Sequence, residues 1–279
     1  MLGQEQFYFI SVLVSMNAQS DLATAKRSVK KLSYERDDSS NLIIYIEEIL
    51  DSRYGCYIWP SAVVMAEYIW HNRTKFSDRV VLEIGAGTSL PSILLSKGVS
   101  APPRLILTDI PGILHVIRSC LLLNGVKEES NSTWIRGLLW GELEGDTGVK
   151  SLTASVEQEW RANIDYILGS DTFYDPADFE KLIVTVSYII HCHNPKCKFI
   201  TAYQERSSKR SIQPLLDKYQ LECSLVSRDS FDFDASKYIR DDDNDGEEED
   251  DIRHAKVDAG GLSSVFLLEI SAKTSTNKQ

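Results

Sequence analysis

Apolar residues in this chain gather into short runs, and the stretches between them carry apolar positions every three or four residues. Val80, Val81, Leu82 and Ile84 form a near-continuous run of the kind a parallel strand buried on both faces requires. Comparable strands are expected at Arg104 to Asp109, Trp134 to Leu139, Ile164 to Leu168 and Lys198 to Ala202. Helical spacing predicts helices from Ser89, over Ile113 to Leu123, Ala177 to His191 and Ile212 to Tyr219. Such alternation implies right-handed βαβ units and a doubly wound, mostly parallel sheet, an α/β fold. Leu221 to Ser227 and Val265 to Ile270 supply two more strands with only an acidic loop between them. They are expected to close a seven-stranded sheet as a hairpin, so one of the C-terminal strands runs antiparallel.

Ahead of this series, Phe7 to Val14 and Leu42 to Glu47 are rich in β-branched and aromatic residues, with a polar stretch of Ser, Asp and Lys between them. They are expected to pair as an N-terminal β-hairpin with a long connection. After Tyr54-Gly-Cys-Tyr-Ile-Trp-Pro60, residues Ala62, Val63, Ala66, Ile69 and Trp70 recur at helical spacing, with Pro60 suited to the first turn. The expected organisation is a hairpin extension over 1–53, one domain over 54–273 containing the acidic loop 241–251, and a tail over 274–279, without internal repeats or a second domain.

The chemistry lies where strands end. Gly85 and Gly87 let the backbone after Ile84 turn tightly and approach a ligand, and the helix beginning near Ser89 points its free N–H groups at the same place. A dinucleotide fingerprint needs a third small residue where Leu90 stands, and no Gly-Lys-Ser/Thr of a phosphate loop follows. Asp109 ends the next strand at the spacing of a ribose-binding carboxylate. The loop therefore suits a ribose and its substituents, against the alternative of a tight turn with no ligand. Later strand ends carry Trp140-Gly141, Ser170-Asp-Thr-Phe-Tyr174 and Tyr203-Gln-Glu-Arg206. Trp140 can stack on an adenine or pack the core, and Trp59 can cover a cofactor or pack the hairpin. Asp171 can hold an amine or guanidinium in line for a displacement, with the Tyr174 ring beside a cationic centre; the alternative for Asp171 is a helix cap ahead of Pro176. Glu205 is a second candidate carboxylate, or a surface acid paired with Arg206 or Lys209.

Charge and composition narrow the partners. The net charge of −11 is concentrated in nine acids between Asp241 and Asp251, without which the body carries −2. That run reads as a solvated, disordered loop, and the near-neutral body lacks the basic surplus of a nucleic-acid binder. Lys26-Arg27 with Lys30-Lys31 is a weak candidate for nuclear import. No apolar run reaches membrane-spanning length, and Phe7 to Val14 lacks the flanks of a secretory signal, so no membrane association is expected. Five cysteines at irregular spacing suit free thiols in cytoplasm or nucleus. His191, Cys192, His193 and Cys197 fall within seven residues, too short a span for separated zinc-ligand pairs, and no metal is expected.

Glu83-Ile-Gly-Ala-Gly87 followed by Asp109 resembles motif I and its acidic partner in the Rossmann-like seven-strand S-adenosylmethionine-dependent methyltransferases. Gly55-Cys-Tyr-Ile-Trp-Pro-Ser-Ala62, Leu138-Leu-Trp-Gly141, Gly169-Ser-Asp-Thr-Phe-Tyr174 and Ala202-Tyr-Gln-Glu-Arg-Ser207, in this order, resemble segments of methyltransferase family 16, most closely its methyltransferase-like protein 23 group. The likeness runs from about Tyr54 to Lys273. It implies S-adenosyl-L-methionine as cofactor, contacted by Trp59, Glu83, Gly85, Ala86, Gly87, Asp109, Trp140 and Ser170, with Asp171 and Tyr174 facing the substrate. It also implies a protein substrate methylated on Arg or Lys, a histone or chaperone-type protein being the candidate. The acidic insertion departs from the family pattern. The competing expectation is a binding protein that kept the fold and engages a chaperone or transcription partner.

Overall fold

The computed structural model describes residues 26–36, 38–49, 54–207, 210–239 and 252–274. Phe7 to Val14, the acidic run 241–251 and the end of the tail lie outside them. Seven strands form the main sheet: β3 (Val80–Ile84), β4 (Arg104–Asp109), β5 (Thr133–Gly137), β6 (Tyr166–Ser170), β7 (Lys198–Gln204), β8 (Leu221–Val226) and β10 (Val265–Ala272). Their order is β5-β4-β3-β6-β7-β10-β8. The five strands from β5 to β7 are parallel, and β10 lies antiparallel between β7 and β8. The predicted α/β fold with an antiparallel C-terminal strand is the fold observed.

Alternation along the strands sorts the core into two layers. Val81, Leu105, Leu107, Leu168 and Ile200 face one side, with α1 (Pro60–His71), α2 (Leu90–Gly98) and α3 (Leu114–Leu123). Val80, Leu82, Ile106, Ile167 and Phe199 face the other, with α4 (Val149–Ser155), α5 (Pro176–Tyr188) and α6 (Gln213–Lys218). Burial on both faces is what the near-continuous apolar run of a central strand such as β3 dictates, with Glu83 its one polar member. Helix α4 stands in a stretch for which no helix was predicted. The helix expected to reach His191 leaves α geometry at Tyr188 and continues as one widened turn, Ile189–His193.

The N-terminal hairpin differs from expectation. Its first strand is β1 (Arg27–Glu35), inside the stretch read as a polar connection, and it pairs antiparallel with β2 (Asn41–Ile49), with Arg36 N–H bonded to Ser40 O (2.7 Å) between them. Leu32 and Tyr34 turn into the core cluster, Val29 is buried on the other face, and Arg27 on Val29's side reaches diagonally across to the buried Glu47 at 3.0 Å. Lys30 faces Glu48, so the basic cluster belongs to a strand. The segment between β8 and β10 is more than a loop: β9 (Ile252–His254) pairs parallel with β1, and the short α7 (Ala259–Ser263) follows. The outer edge of β2 is covered by Asn124, whose amide accepts from Tyr45 N (2.9 Å) and donates to Tyr45 O (2.6 Å), imitating a neighbouring strand. Ile44 and Ile46 join the core cluster that contains the α1 to α3 residues, so hairpin and main sheet share one packed layer.

Candidate active site

The order of strands reverses at β3, with β4 on one side and β6 on the other, and ligands of open α/β sheets sit outside the carboxyl ends at such a point. A cavity of about 1020 Å³ opens there. After β3 the chain takes positive φ at Gly85 (+59°) and Gly87 (+49°). A Cβ on Gly85 would stand 3.0 Å from the Trp140 indole, and one on Gly87 would stand 3.0 Å from the Gly55 carbonyl oxygen. The turn is therefore closed to any larger residue by conformation and by space. Ser89, also at positive φ, precedes α2 without capping it through its side chain, which leaves the first N–H groups of α2 facing the turn.

Asp109 at the end of β4 accepts Gly87 N–H at one carboxyl oxygen (2.9 Å) and Ile110 N–H at the other (2.8 Å). A carboxylate offers about four lone-pair positions, so two remain for paired hydroxyls such as those of a ribose. Burial pushes its pKa up to about 6, against the two amide hydrogen bonds. Glu83 lines the same cavity from within β3, 2% exposed, and takes a hydrogen bond from the Ser92 hydroxyl. Burial, with the neighbouring Asp109 charge in support, pushes Glu83 up to about 8, so it carries a proton at neutral pH.

Trp140 follows β5 and rests half-buried over Gly85, held by the Gly141 N–H bond to the Thr185 hydroxyl on α5 (2.9 Å). Trp59, the residue before α1, borders the cavity from the hairpin side, its ring edge-on to Tyr57. Ala86 and Ser170 also line it, and the Ser170 hydroxyl is enclosed with no partner among the described residues. An orphaned hydroxyl, a glycine cradle, a two-sided carboxylate and an indole wall fit the polar and aromatic parts of a nucleoside.

The opposite wall holds Asp171 and Tyr174. Asp171 is 8% exposed and stands at φ +57°, anchored by its N–H to Ala202 O (2.9 Å). Asp175, and not Asp171, caps α5 by accepting from Ala177 N–H. The Asp171 carboxylate is engaged by a guanidinium that the sequence alone did not pair with it: Arg206 donates Nη1–H to Oδ1 (2.8 Å) and Nη2–H to Oδ2. Burial raises the Asp171 pKa, and Arg206 opposes that rise. Glu205, expected as a second acceptor carboxylate, is exposed and outside the cavity lining, because alternation along the extended chain after β7 turns Arg206 toward Asp171 and Glu205 away. It therefore stands apart from the site, and its neighbour Arg206 pairs with Asp171 instead. His193 is engaged at both ring nitrogens, by Glu157 (2.7 Å) and Ile164 N–H (3.0 Å), and among the described residues no three His, Cys, Asp or Glu side chains converge as metal ligands.

Residues 37–213 match the family described as lysine methyltransferase, so the likeness reaches back to include β2. The chain is 36% identical over 222 residues to histone-arginine methyltransferase METTL23 of Xenopus laevis, covering 78% of this chain and 87% of that one. It is 29% identical to protein-lysine methyltransferase METTL21E of Mus musculus, covering 49% and 52%. Among solved structures, an O-methyltransferase from Bacillus cereus in complex with SAH aligns at a TM-score of 0.44 and 12% identity, over 78% of this chain and 83% of that one. This chain belongs to the protein methyltransferases of family 16.

Proposed function

We propose that the chain transfers a methyl group from S-adenosylmethionine to an arginine side chain of a protein, a histone being the candidate. The sulfonium methyl group supplies the electrophile when the cofactor is bound. The protein's part is orientation and charge control. Gly85, Gly87 and Asp109 would hold the ribose, Trp140 the adenine, and Asp171 the acceptor, with the Tyr174 ring beside the cationic centre. The observation that carries the choice of arginine is the bidentate seat that Asp171 already gives a guanidinium. The name of the Xenopus relative agrees with it.

The test is transfer of a labelled methyl group to purified core histones, with the product identified by mass spectrometry. Methylarginine in the native reaction, and its loss by more than about 100-fold in Asp171→Asn with cofactor affinity retained, is the expected result. Methyllysine as the product, or native-rate transfer by the variant, refutes the assignment. Two buried free cysteines, Cys120 and Cys197, support residence in cytoplasm or nucleus, which immunofluorescence of the tagged chain would test.

A further inference from the structure

Two arginines that brace this fold are both tied to main chain and stacked on rings, and Arg27 braces the hairpin through its pair with Glu47. Arg228 donates to the carbonyls of Leu262 and Val265 and lies over Phe233 at 5.2 Å. Arg104 donates to Trp160 O and lies over its indole at 5.3 Å. Arg206 has a different environment. Among the described residues its guanidinium bonds only to Asp171, and 31% of its side chain is open to solvent at the cavity wall. It stands two residues past β7, next to Glu205, whose N–H is bonded to Ser264 O (2.9 Å), and Asp171 stands one residue past β6 with its N–H bonded to Ala202 O (2.9 Å).

The carboxylate is the enclosed partner, with 7% of its side chain exposed, and Arg206 reaches it on a long side chain that is more open to solvent. We propose that Arg206 is an internal guanidinium that occupies the Asp171 carboxylate in the free enzyme and is displaced by the acceptor arginine of the substrate protein. The proposal rests on the reading of Asp171 as the acceptor carboxylate. Displacement exchanges like for like: one planar fork leaves two charge-assisted hydrogen bonds and another takes them up, so the buried carboxylate is never left bare. The displaced Arg206 returns to water at its exposed end. A lysine ammonium cannot reproduce both bonds of the fork, so the same exchange disfavours lysine acceptors. Arg206 thereby raises the threshold for any acceptor and selects the guanidinium class.

Competition by a tethered group lowers the apparent affinity by the fraction of enzyme whose carboxylate is free. With that fraction at about one tenth, removing the arm tightens binding about tenfold. The experiment titrates Nα-acetyl-arginine amide into the full chain saturated with S-adenosylhomocysteine, for the native protein, Arg206→Met, Arg206→Gln and the double variant Arg206→Met/Asp171→Asn. The expected result is about tenfold tighter probe binding in both single variants, loss of that gain in the double variant, and no comparable gain for Nα-acetyl-lysine amide. Probe binding no tighter than native, or a gain that survives Asp171→Asn, overturns the proposal. Loss of S-adenosylhomocysteine binding in both single variants also overturns it, since Arg206 is then a structural brace. Methyllysine in the histone product would refute the arginine reading while leaving the probe result intact. Methylarginine with no tightening would retain that reading and remove the competitor.

Discussion

Replacing Gly87 by Ala tests the cradle at its least forgiving point. At φ +49° an L-residue pays about 1–2 kcal/mol for the left-handed region. The added Cβ would stand 3.0 Å from the Gly55 carbonyl oxygen, a backbone atom that cannot swing aside as a side chain does. Relieving that contact adds about 1 kcal/mol, for a total of about 2–3 kcal/mol and a Tm lowered by roughly 4–12 °C. The same shift moves the Gly87 N–H away from Asp109, 2.9 Å distant, and weakens S-adenosylhomocysteine binding by about tenfold or more. Two controls separate these contributions. Gly125, at φ +68° with no atom within 4 Å of where a Cβ would stand, incurs the conformational cost alone on mutation to Ala and keeps ligand affinity. Gly112, in open space without a positive φ, tolerates Ala on both counts. Calorimetric melting and titration of all three variants provide the readout. A Gly87→Ala protein with native Tm and native affinity, or a Gly125→Ala protein with the same affinity loss, refutes the reasoning.

The pKa of Glu83, pushed up to about 8 from an ordinary value of 4.5, makes the folded state hold a proton that the unfolded chain releases. Stability therefore falls as pH rises from about 4.5 to 8, by up to about 1.4 kcal/mol per pH unit, and Glu83→Gln should flatten that slope in melts across the range. Trp140→Ala removes the indole wall over Gly85 and is expected to cost about 1–3 kcal/mol of cofactor binding, read by isothermal titration. Asn124→Ala strips the buried N–H and C=O of Tyr45 of their partner, which costs about 2–3 kcal/mol and should raise hydrogen exchange along β2 more than along β3.

The parallel core was legible because its strands are near-continuous apolar runs, broken in Val80 to Ile84 only by Glu83, and because the glycines after that strand mark where a ligand fits. The lining from Gly85 to Asp109, Trp140 and Asp171 followed from strand ends alone. Strand β1 escaped because Lys30 and Lys31 fall between Val29 and Leu32 and break the period of two, and because the partner of Arg27, the buried Glu47, lies on another strand. Helix α4 is seven residues long and shows too few turns for periodicity to stand out. Arg206 escaped for another reason: its partner lies 35 residues away at a different strand end, and only the parallel register of β6 with β7 brings the two together.

The placement of β9 and β10 has a consequence for how the chain reaches its native state. Val29 waits for Ile252 to complete the small sheet, and β8 has no neighbour in the large sheet other than β10. Both sheets are thus finished by residues 252–272, the last of the described strands to be synthesised. Until then β1 and β7 each offer an unpaired edge, and β8 has no sheet to join. Contacts of such long sequence separation slow the final step of folding.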